Sequence, residues 1–330
     1  MEKIKLGIVG YGKMGKIREH SINSSDDSTV TSIYEKNKDL VDCKNIYCDS
    51  FDELLDSDID GVIISTYVNT AAEYVLKALN KGKHVFCEKP PAMSSRELAP
   101  IDEFQKESNL VLKYGFNHRY HYSVMDAYDL ISKGEMGRLI WMRGIYGKAG
   151  SLDFKENWRS YKKFSGGGIL MDQGIHMLDL FRYFSGEEFE CISSYVDTMY
   201  WDIESEDNAF VLLKSKSGII SSLHSTANQW RHKFLLEMTF ENGYVNLDGI
   251  LSATGSYAPE TLIVGRKESE NISRSMGKPQ ESVSFYENDD SWTLELREFL
   301  SSIRGESVIK NGTLNDAYNI MSLLENIYNK

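Results

Sequence analysis

The N-terminal third of the chain alternates between two hydrophobic periods. Short, mainly apolar, β-rich runs lie at 4–9, 61–66, 84–90 and 110–116. Between them are segments whose apolar residues recur every three or four positions, TAAEYVLKALNKG (70–82) being the clearest. The runs predict strands buried on both faces, and the segments between them predict helices. TVTSIYE (29–35) reads as another strand, SSRELAPIDEFQKES (94–108) as another helix in spite of Pro100, and Gly82 as a helix end. Strands alternating with helices predict a parallel sheet with helices on both faces.

Near Tyr120 the pattern changes. HYSVMDAYDLISKGEMG (121–137) predicts a helix and turn, and RLIWMRGIYG (138–147) a strand. Four alternating segments follow at 191–201, 208–226, 232–249 and 261–267, with KSG and ENG as hairpin turns. They predict an antiparallel sheet. One face is expected to meet a helix or the first domain. The other, carrying Trp201, Leu213 and Phe240, is expected to meet another copy of the chain, because so broad an apolar face is unlike a wetted surface. SWTLELREFLSSIRG (291–305) and LNDAYNIMSLLENIYN (314–329) predict two closing helices.

Composition narrows the function classes. The 330 residues carry a formal net charge of −12, which argues against a nucleic-acid or anionic-membrane surface. No segment approaches the roughly 20 apolar residues of a membrane span. The opening MEKIKLGIVG enters a strand at once, leaving no room for a secretory signal. Cys43, Cys48, Cys87 and Cys191 lack metal-ligand spacing and read as reduced thiols of a cytoplasmic protein; no metal is expected.

Candidate chemistry begins at the first strand end. Gly10, Gly12 and Gly15 form G-x-G-x-x-G between strand and helix, the context in which such a loop approaches a pyrophosphate. Tyr11, Lys13 and Met14 lie within the same loop. Glu35 ends the second strand, where a carboxylate accepts from ribose hydroxyls and repels a 2′-phosphate. This favours NAD over NADP, with Lys36 and Lys38 softening the preference. A solvated strand end is the plainer account of Glu35. Ser65, Thr66, Asn69, Glu88, Lys89 and Asn117 fall at or just after later strand ends, the ligand edge of such a sheet. In CEKPP, Lys89 stands on a turn stiffened by Pro90 and Pro91, with Lys89–Pro90 a candidate cis bond. It reads either as a group stabilising a substrate oxygen or as a surface ion pair.

The segment GGGILMDQGIHMLDLFRYFSG (166–186) puts Asp172 and His176 one turn apart on an otherwise apolar helix, with Asp179 close behind. It reads as a satisfied core histidine beside a first-turn aspartate, as a cleft wall with a polar pair, or, lacking a third ligand, as a poor zinc site. The glycines, Gly174 included, would admit a ligand or backbone closely. FKENWRSYKKFS (154–165) is basic and aromatic in an acidic chain. Its Trp158, Arg159, Tyr161 and Lys162 suit a polyhydroxylated substrate, or form a solvated loop.

The glycine loop, ALNKGKHVFCEKP (78–90), GFNHRY (115–120) and GGGILMDQGIHMLDL (166–180), in this order, resemble the glucose–fructose oxidoreductase / inositol dehydrogenase (Gfo/Idh/MocA) family over nearly the whole chain. The chain departs from the family at STYVNTAAE (65–73), where Tyr67 and Ala71 replace proline and histidine, and at Pro91. The resemblance implies an NAD-binding Rossmann domain over 1–120. It implies an α+β domain with a large, mostly antiparallel open sheet over 121–330, the last helices packing back on the first domain. It also implies hydride transfer between nicotinamide and a secondary alcohol or ketone of a sugar, sugar derivative or cyclitol, with Lys89, Asp172 and His176 as the catalytic set. Asn117 and Arg119 are then expected near the nicotinamide and substrate, and a homodimer or homotetramer is expected. Two rivals are glycoside cleavage through transient redox and a non-catalytic NAD or sugar sensor.

Overall fold

The computed structural model describes residues 2–41, 46–150, 154–267 and 280–330; Cys43 lies outside them. The order begins β1 (Ile4–Val9), α1 (Lys13–Asn23), β2 (Ser28–Tyr34), α2 (Phe51–Asp56), β3 (Gly61–Ile64), α3 (Val68–Asn80), β4 (His84–Glu88), α4 (Ala99–Lys106) and β5 (Leu112–Gly115). It continues with α5 (Tyr122–Ser132), β6 (Leu139–Gly147), α6 (Lys162–Ser165), α7 (Ile175–Ser185), β7 (Phe189–Asp197), β8 (Asn208–Ser215) and β9 (Ile220–Thr226). It closes with β10 (Lys233–Phe240), β11 (Gly243–Asp248), β12 (Glu260–Arg266), β13 (Glu281–Tyr286), α8 (Ser291–Ile303) and α9 (Leu314–Tyr328). Two compact units result. One comprises Met1–Asn117, Lys163–Gly166 and Trp292–Ser322; the other comprises His118–Lys162, Gly167–Ser291 and Leu323–Lys330.

The first unit holds a parallel sheet in the order β2-β1-β3-β4-β5. All four residues of β3 are buried, as a strand covered on both faces requires. α3 buries Val68, Ala71, Ala72, Val75, Ala78 and Leu79, a stripe at helical spacing, and the chain leaves it through Gly82 at φ 72°. The expected helix over 94–108 is divided. A 3-10 turn spans Ser95–Leu98, and α4 starts at Ala99 with Pro100 in its first turn, where a missing N–H costs nothing. α8 returns to this unit, and its Leu296, Phe299 and Leu300 pack with Ile4, Leu6, Ile8, Ile22 and Phe86.

The second unit is built on an eight-stranded sheet in the order β13-β12-β11-β10-β6-β9-β8-β7. Every neighbouring pair is antiparallel except β6 with β9. α7 covers one face, so closely that a Cβ on Gly144 of β6 would lie 2.5 Å from the Met177 side chain. Strand alternation corrects the expected outer face. Leu213 and Phe240 are buried on the inner face, and Trp201 lies outside the strands with its indole N–H donating to the Ala227 carbonyl. The residues left exposed on the other face include Trp141, Phe210, Leu212 and Ile220. Two elements, α2 and the edge strand β13, had no counterpart in the reading of the sequence.

Candidate functional site

In the first unit the three loop glycines differ in what constrains them. Gly10 has φ 84°, and a Cβ there would lie 2.6 Å from the Ser65 carbonyl oxygen. A Cβ on Gly15 would lie 2.3 Å from the Gly10 carbonyl oxygen. A Cβ on Gly12 would meet none of the described residues within 4 Å. The protein itself thus demands the first and third glycines, while the second borders open space. Gly12 is also the N-cap of α1 and provides no side-chain cap, so the Lys13–Met14–Gly15 end of the helix presents backbone donors and the positive end of its dipole. A pyrophosphate suits that cradle in shape and charge.

Glu35, immediately after β2, closes the other side of the loop. Its Oε2 accepts from the Tyr11 N–H at 2.6 Å and its Oε1 from the Asn37 N–H at 3.0 Å. The Tyr11 ring is buried, and its hydroxyl donates to Glu19. Ser65 follows β3 and its N–H donates to the Val9 carbonyl at 2.9 Å. Thr66 is bonded through its hydroxyl to Thr70 at 3.0 Å, and Asn69 is exposed in the first turn of α3. Lys89 is half-buried just after β4, on a cis Lys89–Pro90 bond, and Asn117 is buried just after β5. The residues that could hold a dinucleotide therefore gather at the C-terminal edge of the sheet, from the β1–α1 loop to the end of β5.

Glu88 departs from this pattern. Its Oε1 is 2.6 Å from Arg18 Nε, and Arg18 Nη2 is 2.6 Å from Glu295 Oε2. The guanidinium lies between the Phe86 and Trp292 rings, at 4.2 Å and 4.7 Å from their centroids. Burial works against the Arg18 charge, but the two carboxylates outweigh it and raise its proton affinity. Burial pushes Glu295 above the usual carboxylate range. Glu88, expected at the cofactor, is a member of a buried charge cluster directly behind Lys89.

In the second unit Asp172 and His176 stand at the start of the helix that covers the sheet. The expected α-helix begins instead with a π turn over Leu170–Gly174, which passes into α7 at Ile175. Such a turn often marks functional positions, because its wider winding re-aims side chains. Asp172 Oδ2 is 3.2 Å from Arg159 Nε and 3.9 Å from Lys148 Nζ, and it accepts from Gln173 Nε2 at 3.0 Å. Arg159 lies over the Trp158 ring at 4.4 Å. The basic aromatic segment therefore reaches the aspartate, while Tyr161 is exposed. His176 is buried and stacks on His118, with centroids 3.7 Å apart. His118 Nε2 is 2.9 Å from Tyr146 Oη. Burial, then the nearby Tyr257 and Asp172, raise the Tyr146 phenol well above its ordinary value, so it keeps its proton at neutral pH.

Three expectations meet the structure here. Of the two approaches expected at the glycines, that of the protein itself is seen: a Cβ on Gly168 would lie 1.9 Å from the Glu206 carbonyl oxygen, on Gly167 2.2 Å from Tyr328 Oη, and on Gly174 2.8 Å from Leu170 Cδ1 and 3.1 Å from Ser225 Oγ. Asp179 does not join Asp172 and His176. It takes a two-pronged ion pair from buried Arg119, Nε to Oδ2 at 2.8 Å and Nη2 to Oδ1 at 2.6 Å. Arg119, expected at the substrate, is thereby an anchor between the segment before α5 and α7. The sequence reading passed over His118, Tyr146 and Lys148. Only His118 had a visible signal, as the residue between Asn117 and Arg119 in GFNHRY.

A dinucleotide-binding parallel sheet and an open antiparallel sheet in one chain are the frame of an NAD(P)-dependent dehydrogenase acting on CH–OH groups, the class to which its named relatives below belong. Residues 4–116 match the oxidoreductase family's NAD-binding Rossmann fold, and residues 124–266 match the GFO/IDH/MocA C-terminal domain. The chain belongs to the Gfo/Idh/MocA family. It is 27% identical over 234 residues to myo-inositol 2-dehydrogenase of Thermotoga maritima, covering 68% of each chain. It is 34% identical over 145 residues to levoglucosan dehydrogenase of Pseudarthrobacter phenanthrenivorans, covering 43% of this chain and 37% of the relative. The solved structure of levoglucosan dehydrogenase with NADH shares the fold with a TM-score of 0.85 at 20% identity, over 99% of this chain and 96% of that one.

Proposed function

We propose that the chain transfers hydride between NAD and a secondary alcohol or ketone of a cyclitol or sugar, with Lys89, Asp172 and His176 as the catalytic set. The observation that carries the reading is His176. It is a buried imidazole on the helix that begins with a π turn, one turn after a carboxylate already held by Arg159, Lys148 and Gln173. The nicotinamide, when bound, accepts or supplies the hydride. Gly10, Gly12, Gly15 and the first turn of α1 hold the pyrophosphate, Glu35 takes the adenosine ribose, and Ser65, Thr66 and Asn117 line the sheet edge beyond it. His176 takes the hydroxyl proton during oxidation and returns it during reduction, the acid/base work for which imidazole is the side chain most often used. Asp172 orients the imidazole and supports its charged form. Lys89 holds the reacting oxygen and stabilises its developing negative charge.

Reduced nicotinamide should appear when the protein and NAD are supplied with inositols, anhydrosugars or aldoses. His176→Ala should lower kcat by about 10²–10⁴-fold, the usual worth of a positioned acid/base, without lowering the melting temperature. A fully active His176→Ala protein, or a mutant that loses activity only because it unfolds, would sink the acid/base role. Substrate consumed without net NADH would favour cleavage through transient redox instead.

The reading extends to assembly and location. Trp141, Phe210, Leu212 and Ile220 on the open sheet face support a homodimer or homotetramer joined there. The buried, unpaired thiols Cys48, Cys87 and Cys191 support a reducing, cytoplasmic setting.

A further inference from the structure

The imidazoles of His118 and His176 lie face to face, 14° from parallel, at a centroid separation of 3.7 Å, and both residues are buried. Two imidazolium ions so placed repel strongly, because little water intervenes to screen them. One imidazolium over one neutral ring carries no such cost. The stack therefore accepts a first proton and resists a second.

The titratable and charged groups around the pair come from several elements. From β6, Tyr146 reaches His118 Nε2 with a phenol that burial keeps protonated. Tyr257 packs edge-on against Tyr146, and Phe234 of β10 lies beside both Tyr146 and His118. His121 meets His118 edge-on at 5.5 Å; its Nδ1 is 2.9 Å from Glu260 Oε2, and its Nε2 is 4.0 Å from Asp289. On the side of α7, Asp172 stands one turn before His176 with Arg159 and Lys148 beside it.

We propose that His118 is a positioning residue that works through His176: it fixes the plane of the His176 ring and limits the pair to one proton. The proposal rests on the reading of His176 as acid/base. Its consequence is that the proton affinity of the acid/base is set by a second histidine, so the pH response of the enzyme belongs to the pair.

Histidine ring resonances of the full chain, labelled at Cε1 and followed through a pH titration, test this directly. Spectra of His118→Gln and His176→Ala assign the two rings among the seven histidines. In the wild-type protein both rings should report two steps separated by more than about one pH unit. In His118→Gln the His176 ring should titrate in a single step lying between those two. His118→Phe keeps an aromatic ring against His176 and should also give one step, which separates lost proton coupling from lost packing. Independent one-step curves in the wild type, with His176 unmoved in His118→Gln, overturn the proposal. So does the absence of titration in both rings between about pH 5 and 8. Kinetics keeps the two readings apart. Coupled rings with a fully active His176→Ala protein remove the acid/base role and leave the coupling standing. Uncoupled rings with an inactive His176→Ala protein remove the coupling alone.

Discussion

At Glu35 a single carboxylate braces two backbone N–H groups, those of Tyr11 and Asn37, at the mouth of the glycine loop. Its charge is thus held where an adenosine ribose would lie, and a 2′-phosphate there would meet repulsion. Glu35→Ser should weaken NAD binding and narrow the gap between NAD and NADP; dissociation constants for both cofactors check it, and an unchanged ratio counts against Glu35 as the discriminator. Glu35 and the glycines were legible in the sequence because their meaning is local: a strand, a spacing, a helix start. The ion pairs of Glu88 and Arg119 were not legible, for the opposite reason. Their partners Arg18 and Asp179 lie 70 and 60 positions away, and nothing in the neighbouring residues announces them. His118 was visible as a letter in a motif, but its stack on His176 needs the placement of α7 before it means anything.

Among elements, periodicity gave the strands and helices wherever one face was strongly apolar. It missed α2, which is only six residues long, and β13, whose residues are almost all exposed at the sheet edge. The π turn before α7 had no signature either, because a helix pattern does not reveal one extra residue in a turn. The glycines separate the two kinds of constraint experimentally. Gly12→Ala should cost no more than about 1 kcal/mol, the worth of a poorer N-cap, since the new methyl meets none of the described residues, yet weaken NAD binding by about tenfold, or ~1.4 kcal/mol. Gly168→Ala should destabilise by about 1–3 kcal/mol, because its methyl must displace the Glu206 backbone. Urea denaturation and cofactor titration on both variants check the contrast. Equal loss of stability in the two would contradict it.

For the whole molecule, acid stability and assembly can be stated with their signs. Burial alone would raise the Glu260 carboxyl, but His121 and the N–H groups of Ser123 and Leu251 outweigh it and hold it below the ordinary 4.5. A carboxyl depressed by folding lends stability that is present above its unfolded value and lost as pH falls through its folded value. Glu260→Gln should therefore lower the urea midpoint at neutral pH and flatten its decline between about pH 5 and 3. A parallel decline in mutant and wild type would assign the acid sensitivity elsewhere. Phe210→Lys combined with Leu212→Lys should reduce the particle mass in light scattering, and a wild-type monomer at micromolar concentration would exclude the proposed interface. The Arg18–Glu295 pair carries another consequence, for how the protein is made. Its two ends are 277 positions apart, and α8 supplies Leu296 and Phe299 to the core around Ile4, Ile8 and Ile22. The ribosome delivers the glycine loop first and α8 near the end. Until then the nascent nucleotide-binding fold holds a buried arginine short of one carboxylate and an apolar surface without its cover. A chain stalled or clipped before Trp292 would leave a sticky fragment for chaperones and proteases, not a small working NAD binder.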